Sequence, residues 1–400
     1  MLKFKSTIFS DENDIYIALQ SNKAKLSSSA LRKIAFKRGT IYPSSLERDD
    51  LINHISDLPF SYSHLTELTN RLTPKINRDQ YSVKRIVGDF DLSKLNDVVE
   101  KVKEGRPRFV GAEHINPSKT IQAFYVEVDY TEFDFTRGKY QQKKRHGGYI
   151  QFLEKAGYIS IQYTYTKRIQ SILNDIIAMY RDTVSKAFEV QDVDLSAVVD
   201  ASLRNQFMIN LYDTSTPFKF LELEKVRVSK VHSILDAAID GHTIENMEED
   251  FSDDLDRDLM GDDDGDQEEP LMSSEDNREY SIDNAQFDGQ LLNDAEEVKD
   301  LCENNFYRSR IKWTSKALSL KEKPIVTFEL AFDDKHRAKD LKFRILGKEA
   351  VDGKGGKEPV DGADFDIVIR ELEDIIFKSL DNVLTAHGSS TTDQKEVSNA

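Results

Sequence analysis

The chain has 400 residues, 38% of them hydrophobic, with 72 acidic and 55 basic side chains and a formal net charge of −17. No apolar run approaches the roughly 18 residues of a membrane span, and Met1-Leu2-Lys3-Phe4-Lys5 is not followed by the hydrophobic stretch of a secretory signal. One cysteine, Cys302, excludes an internal disulfide framework and points to a reducing cytoplasmic setting, or a nuclear one in a eukaryote.

The length predicts two or three domains, and the patterning predicts an α+β fold. Residues 1–75 read as a small helical module. Ser27 to Ser29 offer N-caps for a helix over 30–38, in which Leu31, Ile34 and Ala35 fall at helical spacing, and Gly39 stops it. Thr40-Ile41-Tyr42 is a short extended link closed by Pro43. Ser44 and Glu47 match a capping box that opens a second helix running to about Leu58, ended by Pro59. A third helix is predicted over Tyr62 to Leu72, ended by Pro74.

Residues 80–238 read as a mixed α/β domain with antiparallel strands and long amphipathic helices. Phe124, Val126, Val128 and Tyr130 alternate with Glu127 and Asp129, as in a half-buried strand, and residues 157–165 form another. Residues 167–188 carry Ile169, Ile172, Leu173, Ile176, Ile177, Tyr180, Val184 and Phe188 at three- and four-residue steps, a helical stripe. A further helix is predicted near 195–208 and a strand near 219–228.

Residues 240–295 read as an acidic disordered insert with too few apolar groups to offset its ordering entropy. Residues 240–300 hold 24 acids against three bases, so the rest of the chain is mildly basic at +4. Residues 296–388 follow as a strand meander plus helix. Its strands surround Trp313 and cover 325–332 and 341–346, Gly353 to Gly356 is a flexible loop, and the helix covers 365–384. Gly388 should end that helix, leaving 389–400 disordered. These C-terminal elements can complete the sheet begun at 80–235, with the acidic segment as an insertion.

Leu31, Ile34 and Gly39, followed by Leu51 and Ile55, make residues 27–58 resemble a SAP-like helix–extended–helix DNA-binding module. The resemblance implies that Arg32, Lys33, Lys37 and Arg38 contact phosphates. Ser44-Ser45-Leu46-Glu47-Arg48 stands where such modules carry a second glycine–lysine pair. The alternative is a small bundle used for packing or protein contact.

A second basic cluster, Arg137, Lys139, Lys143, Lys144 and Arg145, lies between two strand-like segments. Interleaved rings include Tyr140, Tyr149, Phe152, Tyr158, Tyr163 and Tyr165. Basic groups neutralise phosphates and exposed rings stack on bases; residues 141–148 read as a flexible basic loop suited to the first task, and the tyrosines alternatively belong to the core. A third cluster, Arg308, Arg310 and Lys312, alternates along a strand, which would place all three on one face. It reads either as a phosphate-binding strip or as a salt-bridged sheet edge protected by charge. The acidic insert reads as a solvating linker, a docking strip for a basic partner, or an internal mimic of nucleic acid that competes for these clusters. An EF-hand is excluded, because Met260 and Leu271 would fall at ligand positions.

The sequence has no GxxxxGK[ST], GxGxxG after a strand, HExxH or GxSxG, and its eight histidines are scattered. No cofactor, metal or catalytic residue is expected. Glu127 and Asp129 with Lys143 or Lys144, and Glu297-Val298-Lys299, leave a degenerate metal-dependent nuclease as one alternative. The expected function is a non-enzymatic nucleic-acid-binding accessory protein. Its partners would be DNA or another polyanion, held largely without sequence preference, and a protein partner or second copy. It would position or recruit an enzyme, as in a microbial genome-maintenance or phage-defence complex, with no membrane involved. The other alternative is an adaptor or oligomeric scaffold using the 167–188 and 365–384 helices as interfaces.

Overall fold

Among the described residues of the computed structural model, eleven antiparallel strands between Tyr81 and Glu349 form one sheet. The structure describes residues 10–20, 26–72, 80–106, 113–120, 123–133, 143–231, 283–289, 292–293, 295–349, 358–360 and 362–398. The disorder expected of the acidic insert, the 353–356 loop, and Arg137, Lys139 and Tyr140 therefore fall outside the described residues.

Four helices make up the N-terminal region: α1 (Glu12–Gln20), α2 (Ser28–Phe36), α3 (Arg48–Ser56) and α4 (Tyr62–Leu72). They enclose a core of their own, including Ile15, Leu19, Leu31, Ile34, Leu51, Ile55 and Leu68. Ser27 caps α2 through Ala30 N–H (3.3 Å), and Gly39 ends the segment at φ +79°. The expected capping box is not formed. Glu47 is itself the N-cap residue of α3, with no side-chain cap, and the Ser44 carbonyl instead accepts from Arg32.

The remaining chain builds β1 (Tyr81–Gly88), a 3-10 turn (Leu92–Lys94), α5 (Leu95–Gly105), β2 (His114–Lys119), β3 (Ala123–Phe133), β4 (Lys143–Lys155), β5 (Tyr158–Thr164), α6 (Lys167–Thr183) and β6 (Phe188–Asp192). It continues with α7 (Ala201–Tyr212), β7 (Phe218–Lys230), β8 (Asn284–Asp288), α8 (Glu296–Glu303), β9 (Phe306–Ala317), β10 (Ile325–Asp334), β11 (Lys339–Glu349) and α9 (Gly362–Ser398). Strand order is β2-β3-β4-β5-β1-β11-β10-β9-β7-β8, with β6 also paired to β1. The C-terminal meander does complete the sheet: β11 meets β1 at Tyr81↔Phe343. The acidic insert ends earlier than expected, since Asn284–Asp288 pairs with β7 as strand β8.

Two cores lie on opposite faces of this sheet. α5 and α6 cover β1 to β5 through Val98, Val99, Ile172, Leu173 and Ile176. α7 and α9 cover the other half through Phe207, Leu211, Ile369, Leu372 and Ile376. The switch of face occurs in β1, where Val83 joins one core and Ile86 the other, an odd and an even position on a strand of period two. α9 also reaches back over the first half. Gln162 of β5 donates to Glu373 at 2.7 Å from the face opposite Ile161 and Tyr163. Contrary to expectation α9 does not stop at Gly388 but continues to Ser398. The long helix after β5 ends at Thr183, because Phe188 has already entered β6.

Candidate nucleic-acid interface

β3 pairs with β4 along its whole described length, from Ala123↔Leu153 to Phe133↔Lys143. Their neighbours are shorter. Among the described residues β2 pairs β3 no further than Asp129, and β5 pairs β4 no further than Ile150. Among the described residues the rungs Tyr130↔His146, Thr131↔Arg145, Glu132↔Lys144 and Phe133↔Lys143 therefore run beyond the sheet as a two-stranded ribbon. Its three outermost rungs on β4 are the basic positions Lys143, Lys144 and Arg145, and Arg137 and Lys139 belong to the connection 134–142 by sequence.

The root of the ribbon is locked to the body. The Tyr130 ring stacks on His146 with centroids 5.0 Å apart, and its hydroxyl donates to Thr166 Oγ1 at 3.1 Å. Thr166 is in turn the N-cap of α6, accepting from Ile169 N–H at 3.2 Å. His146 Nε2 lies 2.9 Å from Glu132 Oε2. Gly148 lets β4 pass close over this corner: a Cβ there would lie 2.4 Å from Ile169 Cδ1 and 2.9 Å from Thr164 Cβ. The expected flexible loop over 141–148 is thus corrected. Residues 143–148 are strand, and Gly148 serves close packing rather than freedom. The described rings expected near this cluster are not free platforms. Phe152 and Tyr163 are core residues, while Tyr149, Tyr158 and Tyr165 lie against Tyr81, Phe377 and Lys342.

The N-terminal cations divide. Arg32 is committed to the link, donating to the carbonyls of Pro43 (3.2 Å), Ser44 (2.7 Å) and Leu46 (3.0 Å). Lys33 and Lys37 are exposed. Lys37 meets Glu67 at 2.6 Å in a surface pair worth little. Arg38 lies over the Phe60 ring, 3.1 Å from its centroid. Burial lowers its pKa to about 10, with Glu67 opposing, so it remains a cation at neutral pH. Phe36 and Ile41 stand out beside these cations as exposed apolar groups; the sequence signal for Phe36 was an aromatic outside the Leu31/Ile34/Ala35 stripe.

The β9 cluster is not a strip. β9 lies between β10 and β7, so it is a central strand rather than the expected edge. A register shift, Arg227↔Arg310 followed by Val228↔Arg308, leaves Ser309 as an extra residue and breaks the alternation. Arg308 turns to α7, where its backbone N–H and Nη1 reach Asn205 Oδ1 at 2.9 and 3.3 Å. Arg310 donates through Nε and Nη2 to Glu329 Oε1 at 2.8 and 2.6 Å, and Lys312 pairs with Glu224 at 3.2 Å. Arg308 and Arg310 are 6% and 8% exposed, which removes them as phosphate contacts.

Among the described residues no three His, Cys, Asp or Glu side chains are grouped to hold a metal ion, and no helix is long and apolar enough to cross a membrane. Glu127 and Asp129 are exposed on β3, and Glu297 and Lys299 lie on α8. The apolar stripes of α6 and α9, considered above as partner interfaces, are buried in the two cores. No protein-family model matches the sequence, and no curated protein matches it.

Proposed function

We propose that this protein binds nucleic acid, most readily duplex DNA, through the β3–β4 ribbon and the exposed Lys33 and Lys37 at the end of α2, and that it positions or recruits an enzyme carried by another chain. The observation that carries the reading is the ribbon itself. A two-stranded ribbon is one of the few backbone elements that the major groove admits, and here its outer rungs on β4 are three successive basic positions. Phosphate neutralisation supplies affinity without sequence preference. The SAP-like resemblance of residues 27–58 adds Lys33, Lys37 and Arg38 as secondary contacts, with Arg32 holding the link between the helices. No catalytic residue or cofactor is proposed, and a microbial genome-maintenance or phage-defence complex suits such a part. The scaffold reading without nucleic acid loses its main support, since the helical stripes it would use are already buried.

The test is duplex binding at several salt concentrations, comparing wild type with Lys143→Ala/Lys144→Ala/Arg145→Ala. If all three groups neutralise phosphates, the slope of log K against log salt should become shallower by about 2.7. An unchanged slope removes the ribbon from the interface, and absence of binding at low salt removes the whole reading.

A further inference from the structure

Phosphate binding leaves two exposed apolar side chains beside Lys33 and Lys37 unexplained. Phe36 is 68% exposed and Ile41 80% exposed, although each lies close in sequence to a filled core. Their exposure is built in. Arg32 ties the link through three carbonyls, and Thr40 N–H donates to the Ala35 carbonyl at 3.1 Å. Tyr42 stacks on His54 with centroids 5.6 Å apart, and its hydroxyl reaches the His54 carbonyl at 3.4 Å. Ser29, Arg32, Lys33, Phe36, Thr40, Ile41 and Tyr42 consequently line a preformed surface groove of about 290 Å³. Its rim is cationic: α2 contributes Arg32 and Lys33 and no acid.

An apolar floor with a cationic rim fits an acidic segment bearing regularly spaced apolar groups. The chain contains one. Between 244 and 259, Ile244, Met247, Phe251, Leu255 and Leu259 recur at steps of three and four among eight acids and one base. Such steps bring apolar groups to one side of an amphipathic segment. A surface that buries five such groups supplies contacts that order a segment of this kind.

We infer that the groove between α2 and the 40–42 link is the docking site of the chain's own 244–259 segment. Phe251 and Leu255 meet Phe36 and Ile41, and the flanking acids face Lys33 and Arg32. The inference deepens the nucleic-acid reading at this patch, since Lys33 cannot serve a phosphate and the segment at once. It is tested without nucleic acid, so the two fail separately.

The full chain carrying Ser29→Cys places a thiol on the groove wall at an exposed position, and half-buried Cys302 serves as internal reference. The rate of alkylation at each thiol is read by mass spectrometry. With an effective concentration near a millimolar and a local affinity of about 0.1 mM, docking protects the groove roughly nine-tenths of the time. Adding Phe251→Ser/Leu255→Ser should then raise the groove rate about tenfold while leaving the Cys302 rate unchanged. Lys33→Glu should raise it in the same direction by less. An unchanged groove rate in the Phe251→Ser/Leu255→Ser chain overturns the inference. Protection that grows with protein concentration also overturns it, by assigning the groove to a second copy.

Discussion

The outer β4 rungs and strand β9 carry nearly the same signal, clustered basic residues within a strand, yet the fold places them differently. Lys143, Lys144 and Arg145 lie on rungs that no third strand flanks among the described residues. Arg310 and Lys312 lie on a central strand, each paired to a carboxylate one strand away. Position in the sheet, not local charge, decides the role. A basic residue between two strands must be neutralised internally, because an unpaired buried charge is far costlier than a paired one. Beyond the sheet that constraint lapses, and net positive charge can be kept for a partner.

The sharpest way to break this comparison is Arg310→Ala. It leaves Glu329, itself 4% exposed, without its guanidinium. Chemical denaturation should show a loss of about 3–5 kcal/mol, with duplex affinity of the folded fraction unchanged. A loss below about 1 kcal/mol, the scale of a surface pair, would mean that the pair is effectively solvated and the contrast with the ribbon false.

Next in size is Gly148→Ala at the root of the ribbon. The added methyl would meet Ile169 Cδ1 and Thr164 Cβ at 2.4 and 2.9 Å, and Ile169 is fully buried. Overpacking of this kind costs about 1–3 kcal/mol. Because the strain falls where β4 crosses α6, hydrogen exchange should rise first at Tyr149 N–H, which donates to Thr164 Oγ1. A neutral substitution with unaltered exchange would show that the root yields easily and does not aim the ribbon.

How far the fold was legible follows from the same geometry. α6 and β3 could be read directly, because each presents one stripe to one core, at period 3.6 and period 2. β1 could not, because Val83 and Ile86 serve cores on opposite faces and the alternation breaks between them. β2 is an edge strand containing Pro117 and a single buried apolar residue, Ile115, so it offers almost no pattern. α5 was legible in Leu95, Val98, Val99 and Val102 but lay in a stretch for which no element was assigned. Of the candidate site, the basic content of β4 was plain from composition. Its strand geometry was not, since Gly147-Gly148 reads as a loop until the Ile169 contact is known. The split of the β9 cluster depends on the extra residue Ser309, which leaves no mark in the sequence.

The other end of β4 supplies a smaller effect and a pH test. Lys155 Nζ lies 3.0 Å from Glu373 and 2.6 Å from Asp374. Burial lowers its pKa, but Glu373 and Asp374 outweigh this, and the net shift is upward from 10.5. A lysine whose folded value is raised adds stability that is fully present below its unfolded value and is lost as pH rises through the folded one. Denaturation midpoints of wild type should therefore fall at alkaline pH above about 10.5, and Lys155→Met should flatten that part of the profile. A parallel fall in both proteins would assign the alkaline loss to other groups.

The smallest expected change in stability belongs to Lys143→Ala/Lys144→Ala/Arg145→Ala, and it is the most informative beside Arg310→Ala. Substitutions away from buried or strained features stay within about 0.5 kcal/mol each, so the triple variant should unfold close to wild type while its duplex affinity drops and its salt slope flattens. Arg310→Ala should do the reverse. Crossing the two in one chain should give additive losses, because they lie on strands separated by β5, β1, β11 and β10. If the triple variant instead lost stability as Arg310→Ala does, the basic rungs would be internally neutralised like those of β9. The ribbon would then be a structural flange, and the net charge left on the flanks of the acidic segment would need another surface to act through.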